Sequence, residues 1–255
     1  MLKPNPYRSD VIWTIVILLI VIIGWESAVR IGRIPVYLLP SPSKILMTLV
    51  LHAGQYAQDS LLTLGEAFLG LVLGAMTGTI VAITLSFWPR LEHAVMTLAI
   101  LVKSTPMVAI APLLTIWLGF GILPKIIITA LLAFFPVLVN ALSGFQAADP
   151  ALLETFHSWH ANRREILWHV RVPEALPFMF AALKVSAPLA LIGAVVAEWT
   201  GASGGLGRTM WLAYSNLNLP FLFAAVFVLA IAGVLIFSLL NWIEDKVVFW
   251  ERRVD

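Results

Sequence analysis

The stretch Leu219–Trp242, LPFLFAAVFVLAIAGVLIFSLLNW, contains no charged side chain. A bilayer hydrocarbon core of ~30 Å needs about 20 residues of α-helix to cross it, and this block supplies them. It has no polar stripe to turn toward water, as a surface helix of a soluble protein would. It therefore predicts a transmembrane helix, and the rest of the chain repeats the pattern. Of the 255 residues, 60% are hydrophobic and 12% charged, whereas soluble domains carry about 25% charged residues. The mean hydropathy of +0.95 points the same way. Too little polar material is present to clothe a soluble core of this size, so the reading is an all-α, polytopic membrane protein.

Working outward from this sixth span, five more are expected: Val11–Val29, Ser60–Trp88, Leu91–Leu118, Pro124–Leu142 and Ala175–Trp199. In the first, the apolar run Val11–Gly24 is followed by Trp25 and Glu26 rather than a small-residue cleavage site, so it reads as a retained span and not a signal peptide. Pro35–Ser43, with Leu39-Pro40-Ser41-Pro42-Ser43, reads as a loop, because Pro offers no backbone donor and biases its predecessor away from helix. Ser43 is expected to cap a short amphipathic helix ending near His52. The second span carries Gly65, Gly70, Gly74 and Gly78, a small-residue stripe that lets another helix approach closely. The third contains Pro106 and Pro112. Breaks there would free carbonyls that only packed neighbours can satisfy, so this helix belongs inside a bundle. The glycine-rich Gly201–Gly207 reads as a flexible loop, followed by a polar connection to Asn218, and the tail from Glu244 to Asp255 is charged.

No cysteine is present. That excludes disulfides, Cys-ligated zinc, iron–sulfur clusters and thiol catalysis. A net charge of +2 does not suggest nucleic acid. Ten Trp suit a chain with two bilayer interfaces to anchor. With both termini inside, Lys3, Arg8, Arg90, Arg163, Arg164, Arg171, Lys246, Arg252 and Arg253 fall on the inner side, and Arg30, Arg33, Lys44, Lys125 and Arg208 on the outer. That bias favours cytoplasmic termini and a cytoplasmic 146–174 segment.

Gln146–Glu174 is the most polar segment of the chain. Its apolar positions Leu152, Leu153, Phe156, Ile166, Leu167 and Val170 recur at helical spacing, and Phe156, Trp159 and Trp168 stand beside charges. Aromatic and charged residues in this mixture suit a docking surface better than a tether. His157 and His160 could share a helical face, but no H-E-x-x-H motif accompanies them, and they read as contacts rather than metal ligands.

This segment resembles the EAA loop of ABC-importer permeases, whose pattern runs E-A-A, three residues, G, nine residues, I-x-L-P. Here Glu154-Thr155-Phe156 is followed at the same spacing by His160 and by Val170-Arg171-Val172-Pro173. Thr155 and Phe156 replace the alanines, and His160 replaces the glycine that usually lets the loop turn. Leu39-Pro40-Ser41-Pro42, Ser104-Thr105-Pro106 through Trp117-Leu118-Gly119, and Val196-Ala197-Glu198 with Gly204-Gly205-Leu206-Gly207 are similar to segments of the nitrate/sulfonate/taurine group of these permeases. The resemblance implies a type I importer fold and a single permease domain over residues 1–255, in a bacterial inner membrane. It implies partners as well: an ATPase subunit that binds ATP and Mg, a second copy of the chain, and an extracytoplasmic solute-binding protein. It places Glu154, Thr155, Phe156, His160 and Ala161 at the ATPase contact, with Pro173 ending the coupling segment.

The chain has no Gly-Lys pair, so it lacks the G-x-x-x-x-G-K-[ST] phosphate loop and the expectation is a permease rather than an enzyme. A gradient-driven transporter or channel subunit would explain the hydrophobicity but not the spaced 154–173 pattern. Ionisable groups inside spans are functional candidates, because each costs about 2.5–3.5 kcal/mol at a helix centre. They are Lys103, Lys184, Glu66 and Glu198. Lys103 is expected to face a cavity or another span. Lys184 could instead reach the headgroups, and Glu198 and Glu66 lie near span ends. A cationic lining would suit a sulfonate or taurine-like anion, while the run Ala181–Glu198 looks closer to permeases for vitamins and pyrimidine precursors.

Overall fold

The structure, a computed structural model, describes the backbone from Pro6 to Trp250 and side chains from Ile12 to Trp250. Lys3, Arg8, Arg252 and Arg253 of the orientation argument fall outside the described side chains. Among the described residues the architecture is helical throughout, without strands. The helices are α1 (Pro6–Ile31), α2 (Pro42–Leu51), α3 (Ala53–Phe87), α4 (Glu92–Ser104), α5 (Met107–Leu118), α6 (Leu123–Gln146), α7 (Pro150–Ser158), α8 (Arg163–Ile166), α9 (Val172–Glu198), α10 (Leu206–Ser215) and α11 (Leu219–Val247). Among the described residues, five helical stretches are long and apolar enough to cross a membrane, and the bent pair α4–α5 makes a sixth if counted as one broken span.

That pair turns through 90° at Thr105, whose backbone is extended before Pro106. At 1.5 Å per residue, α4 and α5 are each about 20 Å long, too short to cross ~30 Å alone. Interruption at Pro112 does not occur, because α5 runs straight through it. Ala111, fully buried against Ile128 and Ala197, holds that turn in place.

The described residues fall into two compact units. One comprises residues up to Ala57 together with Thr209–Val228. In it, α1 is fastened to α2 through Glu26, which accepts from the Ser43 backbone N–H (2.9 Å) and hydroxyl (2.8 Å). Ser43 is therefore not the cap of α2. Ser41 holds that position and Pro42 opens the helix, as its fixed φ favours. Trp25 packs on Phe223 and Phe227, and the Tyr56 hydroxyl donates to the Phe221 carbonyl.

The other unit, Gln58–Arg208 with the chain from Leu229 onward, is organised by α6 and α9, which pack along one another. The span containing α9 is 56% buried, against 6% for the span in α1, so α9 is central to its unit and α1 leaves nearly its whole apolar surface uncovered by the chain. The glycine stripe of α3 faces α6. A Cβ at Gly74 would lie 2.5 Å from the Ala130 carbonyl oxygen, and one at Gly78 3.0 Å from that of Phe134. Gly65 meets nothing within 4 Å, so the packing face is Gly70, Gly74 and Gly78, and small residues there let two backbones touch.

Candidate functional site

The α6–α9 pair has two ends of opposite character. At one end, the chain between Gln146 and Val172 folds into two short helices. Asp149 caps α7, accepting from the Ala151 N–H at 2.8 Å, with Pro150 in the first turn. The helix closes with paired bonds from the Ala161 N–H to the Phe156 carbonyl and from the His160 N–H to the His157 carbonyl, both 3.0 Å. This two-bond closure needs a left-handed residue between them, and His160 takes that place with φ 59°. The turn expected of the motif glycine is thus made without one. Asn162 then opens α8 by a capping box, accepting from the Arg164 and Glu165 N–H groups while Glu165 accepts from Asn162.

α8 passes through a π-helical turn, Leu167–Arg171, directly into α9. Pro173 stands where this turn meets α9. It lies in the first turn of α9, inside a continuous helical run from Arg163 to Glu198. Arg171 donates to the Ser86 carbonyl at 3.1 Å, tying the loop to the end of α3. Between them is a cleft of ≈ 190 Å³ lined by Phe87, Leu153, His157, Arg163 and Ile166.

Glu154, Thr155 and His160 are exposed, while Phe156 and Ala161 are half-buried. Phe156 and Trp159 form a tilted ring pair 5.7 Å apart, and Trp159 and Trp168 are 70% and 65% exposed. Among the described residues, none of the loop's charges is engaged in an ion pair. Rigidly capped helices thus display aromatic and charged side chains that have little to bind within the chain itself.

The other end reverses this. Glu66, Lys125 and Glu198 are all buried. Lys125 Nζ meets Glu66 Oε1 at 2.5 Å, joining α6 to α3. Glu198 accepts from the Thr63 hydroxyl (2.7 Å) and the Gly207 N–H (2.5 Å). Thr63 in turn accepts from the Leu206 N–H (2.8 Å), and Asp59 accepts from the Gly205 N–H (3.1 Å). These acceptors satisfy the free N–H groups at the start of α10, where an anion is also favoured by the helix dipole. Gly205 (φ 106°) and Gly207 admit no side chain, since a Cβ at either would strike the Glu198 carboxylate.

Several expectations are corrected here. Residues 201–207 are a fastened turn rather than a loose loop, and the polar connection beyond them is largely α10. Glu198, although near a span end, is 1% exposed. Lys125, counted on the outer side, lies buried in the first turn of α6. Lys184 is ion-paired to Glu244 of α11, which accounts for it without the headgroups. Lys103 is exposed, with its ammonium 4.4 Å from the centroid of the Phe135 ring, and has no ion pair with a described residue. Sequence reasoning missed Thr63, Asp59 and Lys125. The signal available was the Gly204-Gly205-Leu206-Gly207 run, whose glycines mark a close approach.

Known proteins resemble this chain over most of its length. Residues 70–250 match the family described as "Binding-protein-dependent transport system inner membrane component". The chain is 34% identical over 237 residues to the formylaminopyrimidine transport permease protein ThiX of Halalkalibacterium halodurans, covering 92% of this chain and 94% of that one. It is 31% identical over 238 residues to the riboflavin transport system permease protein RibX of Chloroflexus aurantiacus, covering 92% and 89%. Among solved structures, a chain of the MetNI methionine ABC transporter in an inward-facing conformation gives a TM-score of 0.68 at 19% identity, covering 79% of this chain and 98% of that one. At that identity the likeness speaks to the fold alone.

Proposed function

Since the chain belongs to the binding-protein-dependent transport system inner-membrane component family, and is a multi-pass permease subunit of ABC-importer type, we propose that its α7–α8 segment is the handle by which a separate ATPase drives it. The observation that carries this is the ring pair of half-buried Phe156 and exposed Trp159 on a helix capped at both ends. An aromatic anchor on a rigid element is what a docking groove recognises, and rigid capping lets a push on α7 reach α9 through the continuous helix from Arg163. Glu154, Thr155, His160 and Ala161 surround that anchor. ATP and Mg bind to the partner, not to this chain. Two copies of the chain form the solute path, an extracytoplasmic binding protein delivers the solute, and both termini lie in the cytoplasm.

For the substrate we favour a vitamin or pyrimidine precursor, on the strength of the formylaminopyrimidine and riboflavin permeases to which the chain is similar. A sulfonate or taurine-like anion is the second reading, favoured by Lys103, which alone of Lys103, Lys125 and Lys184 lacks a carboxylate partner among the described residues.

Purification of the tagged chain from its native membrane tests the first claim. A roughly equimolar ATPase polypeptide should co-elute, and a preparation that is stable and transport-competent without one would contradict it. Direct ligand binding by the solute-binding protein encoded beside the chain decides between the substrates.

A further inference from the structure

The buried charges at the α10 end exceed what fastening a turn requires. Two carboxylates, Glu66 and Glu198, and one ammonium, Lys125, are all buried. Both oxygens of Glu198 accept hydrogen bonds, from Thr63 and Gly207. Glu66 has one oxygen on Lys125, while its Oε2 is buried with no donor. Thr63, which holds Glu198, stands one turn from Glu66 on α3, and Lys125 holds Glu66, so the three charged groups gather at one place. Apolar side chains of similar volume would hold the fold at least as well as such a set, which is often the case for buried ion pairs. An unsatisfied buried acceptor beside a cation with N–H groups to give is an arrangement suited to a change of partners.

Lys125 also borders the segment in question. It lines a void of ≈ 10 Å³ with Thr115, Thr200, Gly201 and Ala202, room for about one water molecule. Gly201 and Gly205, at φ 112° and 106°, give the segment backbone freedom that other residues lack.

We propose that Glu66, Lys125 and Glu198 form a releasable lock on residues 199–207. In the locked state Glu198 is held by Thr63 and the Gly207 N–H. When the segment leaves, Lys125 bridges Glu198 and Glu66 and replaces the lost Gly207 N–H, so no buried carboxylate is stranded. The lock does not depend on which solute is carried.

The chain's lack of cysteine makes the test direct. Ala202, 3% exposed, is replaced in the variant Ala202→Cys, which reports opening of the segment through its rate of maleimide labelling in the full-length solubilised protein. Ala141→Cys, at a fully buried position on α6, reports general loosening. Glu66→Gln keeps an acceptor for Lys125 but leaves Glu198 its only carboxylate. It should speed labelling at position 202 by about tenfold, as a shift in a local opening equilibrium, with position 141 unchanged. Adding Lys125→Met removes the replacement donor, and labelling should fall back to the wild-type rate or below. Unchanged labelling at 202 in Glu66→Gln would overturn the lock. So would an equal rise at 202 and 141, or a double variant that opens more than the single one, since either would make the cluster a determinant of the fold as a whole.

Discussion

The two ends of the α6–α9 pair handle charge in opposite ways. Between Gln146 and Val172 the charges are mostly exposed and form no ion pair among the described residues, while the helices that carry them are closed by Asp149, His160 and Asn162. At the far end Glu66, Lys125 and Glu198 are buried and bonded to one another's helices. The difference separates two uses of charge. Exposed charge adds little to stability and remains free for a partner, whereas buried charge is committed to the architecture, and removing one member strands another.

That contrast can be broken by mutation. Lys125→Leu strands Glu66 and should cost about 3–5 kcal/mol, seen as a large fall in melting temperature of the detergent-solubilised protein. Glu66→Leu with Lys125→Leu should recover most of it. If the single variant melts like wild type, the far end is not committed charge at all.

A smaller effect is expected from Gly207→Ala. Its Cβ would lie 2.7 Å from Glu198 Oε2 and 2.5 Å from the Val195 carbonyl oxygen, an overpacking that costs about 1–3 kcal/mol. Gly65→Ala, with nothing within 4 Å, should be neutral or stabilising by up to about 1 kcal/mol. Equal melting temperatures for the two would remove the close approach from the account.

At the exposed end the effects on folding shrink. His160→Gly relieves a left-handed conformation and should stabilise the turn by at most about 1 kcal/mol, and hydrogen exchange at the Ala161 amide should slow accordingly. Faster exchange there would show that the histidine side chain contributes to the turn. Smallest of all for the fold is Trp159→Ala, about 0.5 kcal/mol or less for an exposed side chain. The same substitution should lower ATPase retention on purification severalfold. Retained ATPase together with a lost fold would invert the comparison.

How far these two ends could be read from the residues differs in the same way. The spans were legible because hydropathy is local: Leu219–Trp242 falls within the helix Leu219–Val247, and Gly70, Gly74 and Gly78 proved to be a packing face. The helical character of the 150–171 segment was legible too, from its apolar spacing and its bounding prolines. Burial at the far end was not, because it depends on the chain folding back. Glu198 sits at the end of an apolar run, where a side chain ordinarily meets water; only the return of residues 201–207 covers it. Pro106 and Pro112 look alike in sequence, yet one bends the chain and the other does not. The bend occurs at the extended Thr105, while Ala111 is clamped between α6 and α9.

The claim on which the functional account rests, that the α7–α8 segment is gripped by an ATPase, is tested most directly by Glu154→Cys in this cysteine-free chain, with a short photo-crosslinker attached to the new thiol in native membranes. The account predicts a covalent adduct with an ATPase polypeptide. A transport-active assembly that gives no adduct, or a thiol at position 154 labelled by an impermeant reagent from outside intact cells, would contradict it.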